Sequence, residues 1–167
     1  MRLPDVPEVE SIDLARRLEA GDPVQVLDVR APIRLTSGRV EPVADGRFHN
    51  MRGSEFVHVT DPASAMGLVP SEPVTVVCGH GNDSRVIAAL LEARGYEASS
   101  LRGGITAWMR MAIPRELEPP NGFDRLVQFD RIGKGALGYL LVAGEEALAI
   151  DPPRDWRSFV EEAEAAG

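Results

Sequence analysis

The amino-acid sequence predicts an α/β fold: an open, mostly parallel sheet with helices on both faces, followed by a β-hairpin and helix from an incomplete second domain. Three observations carry this. Short apolar runs, such as residues 24–29 and 74–77, alternate with stretches of helical periodicity, the order that builds a parallel sheet covered on both sides. The only cysteine, Cys78, sits where one such run passes through a glycine-bearing loop into a helix. Beyond a proline- and glycine-rich break at 114–122, the apolar pattern takes a period of two, which reads as antiparallel strands.

Taken in order, residues 1–10 carry Pro4 and Pro7 and read as a loose lead-in. Ser11 is placed to cap a helix with Ile12, Leu14, Ala15 and Leu18 on one side, closed at Gly21. Residues 24–29 form a buried strand ending in Asp28 and Arg30. Two positions apart, these share a face and suit a structural ion pair. The stretch 31–56 is less regular. Residues 56–59 read as a second strand, and Asp61-Pro62 as the cap and first turn of a short helix through Leu68. After the strand at 74–77 comes a helix from Ser84 to Arg94, with Ile87, Leu90, Leu91 and Arg94 on its packed side and Gly95 closing it. Residues 98–101 form the next strand. After Gly103-Gly104 a helix carries Ile105, Ala107 and Trp108, with Trp108 read as core.

The loop Cys78-Gly79-His80-Gly81-Asn82-Asp83 is where chemistry is expected. Glycine and asparagine reach left-handed backbone conformations, so successive N–H groups can turn inward as an anion-binding nest. Ser84 is expected to cap the following helix, whose N-terminal dipole adds positive character at the same place. Such dipoles favour a thiolate over a thiol. A free cysteine is usually inert core, but this one ends a strand beside glycines. Open parallel sheets bind ligands at the carboxyl ends of their strands, which is where Cys78 falls.

The ordered set of Leu27-Asp28-Val29-Arg30, the Cys-x-x-Gly-x-x-Ser loop, Arg94-Gly95-Tyr96, Leu101-Arg102-Gly103-Gly104 and Trp108 resembles a rhodanese domain over about residues 8–113. The loop is similar to those of single-domain thiosulfate sulfurtransferases. The resemblance implies a sulfurtransferase that passes sulfur through a persulfide on Cys78. Gly79, His80, Gly81, Asn82, Asp83, Ser84 and Arg85 would form the substrate- and anion-binding loop. Asp28, Arg30 and His49 would give structural support, His49 within Phe48-His49-Asn50-Met51-Arg52-Gly53-Ser54, the match to the family's Gly-His-Ile-Pro-Gly-Ala segment. The donor would be thiosulfate or a low-molecular-weight persulfide and the acceptor a thiol or cyanide, with no metal or cofactor. His49, His58 and His80 show no metal-ligand spacing.

Two positions depart from the family. Many active members carry basic residues after the cysteine and at the loop's sixth position; here these are Gly79 and Asp83. A carboxylate near a doubly charged donor costs about 1 kcal/mol per unit pair at 4 Å in water, which favours donors of lower charge density. Pairing of Asp83 with Arg85 or Arg102 would mute that penalty. Two alternatives stand beside the enzyme. One is a silent module that binds a partner or positions a metallo-β-lactamase-type hydrolase or persulfide dioxygenase domain. The other is a phosphatase of the same fold, which needs Cys-x5-Arg; here Ser84 holds that arginine's place and the arginine comes one later, at Arg85.

Residues 1–113 are thus read as the first domain, 114–122 as a linker with Pro119-Pro120-Asn121-Gly122, and 123–167 as the start of a second. Within it, 137–142 and 147–150 flank Ala143-Gly144-Glu145-Glu146 as a hairpin. Asp151-Pro152-Pro153 ends it, and a helix over 156–166 presents Trp156, Phe159, Val160 and Ala163 on one face. This block resembles the opening of a metallo-β-lactamase fold, where a strand ends in Asp-Pro. The family's His-x-His-x-Asp-His motif is absent, and Pro153 stands where a glycine is usual. The chain is therefore expected to be a fragment of a fusion, with a metal only in the missing part and self-association through its exposed apolar faces. A net charge of −8 argues against nucleic acid or an anionic membrane as the main partner. One cysteine forms no internal disulfide, and neither a leader peptide nor a run of about 18 apolar residues is found. The cytoplasm is the expected compartment.

Overall fold

In the computed structural model, which describes residues 3–165, the strand leading into Cys78 is the middle one of a five-stranded sheet. The chain divides into two units between Met109 and Arg110. The first contains, in order, β1 (Glu8–Val9), α1 (Ser11–Glu19), β2 (Gln25–Asp28), a 3-10 helix (Pro32–Ser37), β3 (Phe48–Asn50), α2 (Gly53–Phe56), α3 (Pro62–Ala65), β4 (Val74–Val77), α4 (Asp83–Glu92), β5 (Ala98–Leu101) and α5 (Gly104–Arg110). The strand order is β1-β5-β4-β2-β3, and every neighbouring pair is parallel.

Every residue of β2 and β4 is buried, as a sheet covered on both faces requires. Alternation puts Leu27, Val74, Val76 and Cys78 on one side, in a cluster with Ile87, Ala88 and Leu91 of α4. Val26 and Val77 point the other way and are equally buried. Gln25 and Asp28 are the buried polar residues of β2, and the Gln25 amide is satisfied. It donates to Val69 O (2.9 Å) and Glu72 O (3.1 Å) and accepts from Val69 N (2.8 Å), so the loop before β4 is tied to the sheet through backbone groups that would otherwise be orphaned.

Several local expectations are corrected. The lead-in contains β1, which pairs with Ser100 and Leu101 of β5; two residues are too short for a periodic signal. Ser11 does not cap α1 but is its first residue, with Glu10 at the cap position. The strand expected at 56–59 is helix and turn, α2 followed by Val57; the strand is Phe48–Asn50. Phe56 is the only residue of α2 that is buried, and the exposed Val57 and Val59 around it gave a false strand pattern. Asp61 does cap α3, accepting from Ser64 N (3.2 Å), with Pro62 in the first turn.

The second unit holds a four-stranded antiparallel sheet in the order β6 (Ile113–Leu117), β7 (Arg125–Arg131), β8 (Ala136–Ala143), β9 (Glu146–Ile150), and then α6 (Arg157–Glu164). The hairpin β8–β9 closes through Gly144 and Glu145, in the register Ala143↔Glu146. Residues 114–117, expected to be linker, are strand: Pro114 sits on edge strand β6, where a missing N–H costs nothing inward. Val127, Phe129, Leu140 and Val142 bury one face with Phe159 of α6, whose ring stacks on Phe129 at 3.8 Å. Trp156, expected on that face, precedes α6 and is 58% exposed. No helix among the described residues is long and apolar enough to cross a membrane.

Candidate active site

The site is built where β4 ends. Cys78 follows β4 directly and is 3% exposed. Gly81, at φ +91°, reverses the chain so that its N–H points back at the Cys78 sulfur, 3.1 Å away. A Cβ at 81 would meet Gly103 N at 2.9 Å, so the turn is closed to other residues by both conformation and space.

The other wall of the loop is the start of α5. Ile105 N donates to Cys78 O (2.9 Å), and Thr106 donates to Gly79 O from both its N (3.2 Å) and its Oγ1 (2.9 Å). In a trans peptide the C=O and the following N–H point in opposite directions. Holding these two carbonyls toward α5 therefore turns the N–H groups of Gly79 and His80 away from it. Those two, with Asn82 and Asp83 N–H, donate to no acceptor among the described residues. Gly104, at φ +60°, lies directly against the loop: a Cβ there would come within 2.5 Å of Cys78 O.

Ser84 corrects the expected cap. Asn82 holds the N-cap position of α4 without a side-chain bond, and Ser84 lies one residue inside the helix, fully buried. Its Oγ is 3.3 Å from Cys78 Sγ and 2.8 Å from Ser100 Oγ on β5. The hydroxyl thus serves the sulfur rather than the helix end, and Ser100 orients it. Arg85 turns away from the loop: its guanidinium donates to Pro4 O at 3.1 and 2.7 Å. Arg102 pairs with Glu8 and Glu10, so Asp83 has neither of the arginine partners considered for it.

Asp28 and Arg30 form a buried pair, with Arg30 Nε donating to both carboxylate oxygens (2.9 and 3.0 Å) and Nη2 to Oδ2 (2.6 Å). Arg30 also reaches Arg34 O (3.4 Å) and Gly38 O (2.8 Å), which fastens the 3-10 helix to the end of β2. Asn50 does the same for β3, donating to Asp28 O (2.7 Å) and Arg30 O (3.0 Å). His49 Nδ1 lies 3.0 Å from Met66 O; a carbonyl only accepts, so that nitrogen carries the proton. Its Nε2 is buried without a partner among the described residues, and burial holds the imidazole below its ordinary value near 6.5.

Above the loop opens a cleft of about 790 Å³. Gly79, His80 and Asp83 line it from the loop; Arg34 comes from the 3-10 helix, and Arg52 and Ser54 from the start of α2. Ser100, Thr106 and Arg34 were not named from sequence, and Gly104 and Arg52 were named only within motifs, with no role at the site. Only Gly104, next to a second glycine after a strand, left a local signal. No group of three or more His, Cys, Asp or Glu among the described residues could hold a metal ion.

A family model described as a rhodanese-like domain matches residues 11–111. A thiosulfate sulfurtransferase GlpE of Actinobacillus succinogenes is 37% identical over 94 residues, spanning 54% of this chain and 74% of that protein. A sulfurtransferase of Allochromatium vinosum is 27% identical over 110 residues, 65% of this chain and 94% of its own. Among solved structures, the rhodanese-like domain of an Anabaena protein aligns with a TM-score of 0.50 at 27% identity, covering 61% of this chain and 72% of that one.

Proposed function

The chain belongs to the rhodanese-like domain family, and from that premise we propose that it is a sulfurtransferase that carries sulfane sulfur as a persulfide on Cys78, taken from thiosulfate or a low-molecular-weight persulfide. The observation that carries this reading is the surrounding of one sulfur: a backbone N–H at 3.1 Å, a hydroxyl at 3.3 Å, and beside them a loop whose N–H groups lack acceptors. An anion placed there is solvated by fixed dipoles without any metal.

In the first half of the cycle the Cys78 thiolate attacks the outer sulfur of the donor. A new S–S bond forms as the donor's own bond to that sulfur breaks, and the remainder leaves as sulfite or a thiolate. In the second half a thiolate or cyanide acceptor attacks the terminal sulfur and Cys78 leaves as thiolate. Each nucleophile supplies the pair for the bond that forms and each departing sulfite or thiolate keeps the pair of the bond that breaks, so the sulfur is passed as a neutral atom and no outside oxidant or reductant is needed. Gly81 N–H and Ser84 Oγ hold the attacking sulfur, and the free N–H groups receive the charge of the persulfide. Phosphoryl transfer loses support because Arg85, the only arginine close to the spacing it needs, is committed to Pro4 O. In the second unit, the β8–β9 hairpin running into Asp151-Pro152 supports the metallo-β-lactamase resemblance, and no group of three or more His, Cys, Asp or Glu among the described residues could hold a metal ion there.

Intact-mass measurement after brief incubation with thiosulfate, and separately with glutathione persulfide, tests the proposal. The expected result is a gain of one sulfur, about 32 Da, reversed by cyanide and absent from Cys78→Ser. No adduct from either donor would sink the enzyme reading and leave a binding module.

A further inference from the structure

The cleft supplies positive charge that the nucleophile loop lacks. The loop contributes Asp83, while the 3-10 helix contributes Arg34 and the start of α2 contributes Arg52. Arg30 also lines the cleft but is taken up by Asp28. The guanidinium groups of Arg34 and Arg52 make no ion pair or hydrogen bond with any described residue.

Their backbones, by contrast, are fixed. Arg30 holds Arg34 O, and Arg34 N donates to Ala31 O at 2.8 Å. Arg52 O accepts from Glu55 N and Phe56 N, both at 2.9 Å, and the next residue, Gly53, donates to Val29 O at 3.0 Å. Two cationic residues thus line one cleft from anchored main chain, and Ser54 belongs to the same lining. A carboxylate accepts bidentate hydrogen bonds from such a head. The space also matters: about 790 Å³ is the range in which clefts take up ligands of drug size, far larger than a five-atom oxyanion. A compact dianion held on the loop shares that loop with the Asp83 carboxylate, whereas an extended donor separates its charges and can bring them to Arg34 and Arg52.

We propose that Arg34 and Arg52 form a carboxylate-recognition wall that selects, as sulfur donor, an organic persulfide bearing carboxylates away from its sulfur, in preference to thiosulfate. This rests on the sulfurtransferase reading above and names its donor class. The step balances as Cys78–S⁻ + R–S–SH → Cys78–S–SH + R–S⁻: the R–S–S bond breaks, a Cys78 S–S bond forms, and R leaves as thiolate.

The test compares kcat/KM for glutathione persulfide and for its diethyl ester in wild type, Arg34→Gln, Arg52→Gln and the double variant. Wild type should prefer the diacid, and the diacid-to-diester ratio should fall about tenfold or more in the double variant, with Arg52→Lys recovering part of it. Titration of S-methylglutathione into Cys78→Ser should show the same loss of binding on removing the arginines, without any chemistry. A ratio unchanged by the double variant, in a protein that still takes sulfur onto Cys78, overturns the wall alone. A wild-type protein that takes sulfur from no donor overturns the sulfurtransferase reading and the wall with it.

Discussion

Gly104→Ala tests how the nucleophile loop is held. A Cβ at 104 would lie 2.5 Å from Cys78 O, 2.8 Å from His80 N and 2.9 Å from Gly79 C, all backbone atoms with no flexible end to give way. Cβ contacts below 3.0 Å essentially do not occur and become ordinary only from 3.4 Å, so the loop must retreat by about 0.5–0.9 Å (3.0 − 2.5 and 3.4 − 2.5). The retreat strains the bonds from Ile105 N to Cys78 O and from Thr106 to Gly79 O. Alanine at φ +60° costs about 1–2 kcal/mol, and each of the three weakened hydrogen bonds about 1 more, giving about 4–5 kcal/mol in all. Displacement of a reacting group by close to 1 Å costs about 100-fold in rate. Gly95→Ala is the control: at φ +86° it carries the same conformational penalty, but nothing lies within 4 Å of its Cβ. Urea unfolding should show both variants destabilised, Gly104→Ala the more. Quenched-flow mass analysis should show sulfur loading slowed about 100-fold in Gly104→Ala and unchanged in Gly95→Ala. Equal loading rates in the two variants would refute the claim that the packing of Gly104 sets the loop's position.

Three further outcomes follow from the geometry. Asp28→Ala leaves the buried Arg30 unpaired and should cost about 3–5 kcal/mol by chemical denaturation; a loss near zero would show the pair to be dispensable. His49, with its proton on Nδ1 and Nε2 buried, has its folded value below the ordinary 6.5. The unfolded chain therefore binds the proton first on acidification: this stability is fully present above pH 6.5 and is lost as pH falls below it. Unfolding curves at pH 7.5 and pH 5.5 should show a larger acid loss in wild type than in His49→Gln, and parallel losses would discard the argument. Ser84→Ala removes the hydroxyl 3.3 Å from the sulfur. A hydrogen bond to a charged acceptor is worth about 1.5–3 kcal/mol, so sulfur loading should slow by about tenfold or more while Cys78→Ser abolishes it; full-rate loading would make Ser84 a packing residue only.

The sequence by itself determined the strand–loop–helix around Cys78, the glycine turns at Gly81 and Gly95, the Asp28–Arg30 pair and the β8–β9 hairpin. Each of these is written in neighbours: an apolar run and its period, a residue that reaches positive φ, two side chains on one face of a strand. Short elements escaped because two or three residues carry no period, as in β1 and β3, and because exposed Val57 and Val59 around buried Phe56 imitate a strand. What only the tertiary structure decided is which distant residues meet the sulfur and the cleft. Parallel strands joined by crossovers bring Ser100 beside Ser84 and the start of α5 against the loop carbonyls. The tethers from Arg30 and Asn50 draw Arg34 and Arg52 to one cleft. Arg85, next to the loop in sequence, is turned aside by Pro4 O. Local spacing fixes the backbone path, but the partners of a side chain depend on strand order and helix packing, which bring together positions that no local pattern relates.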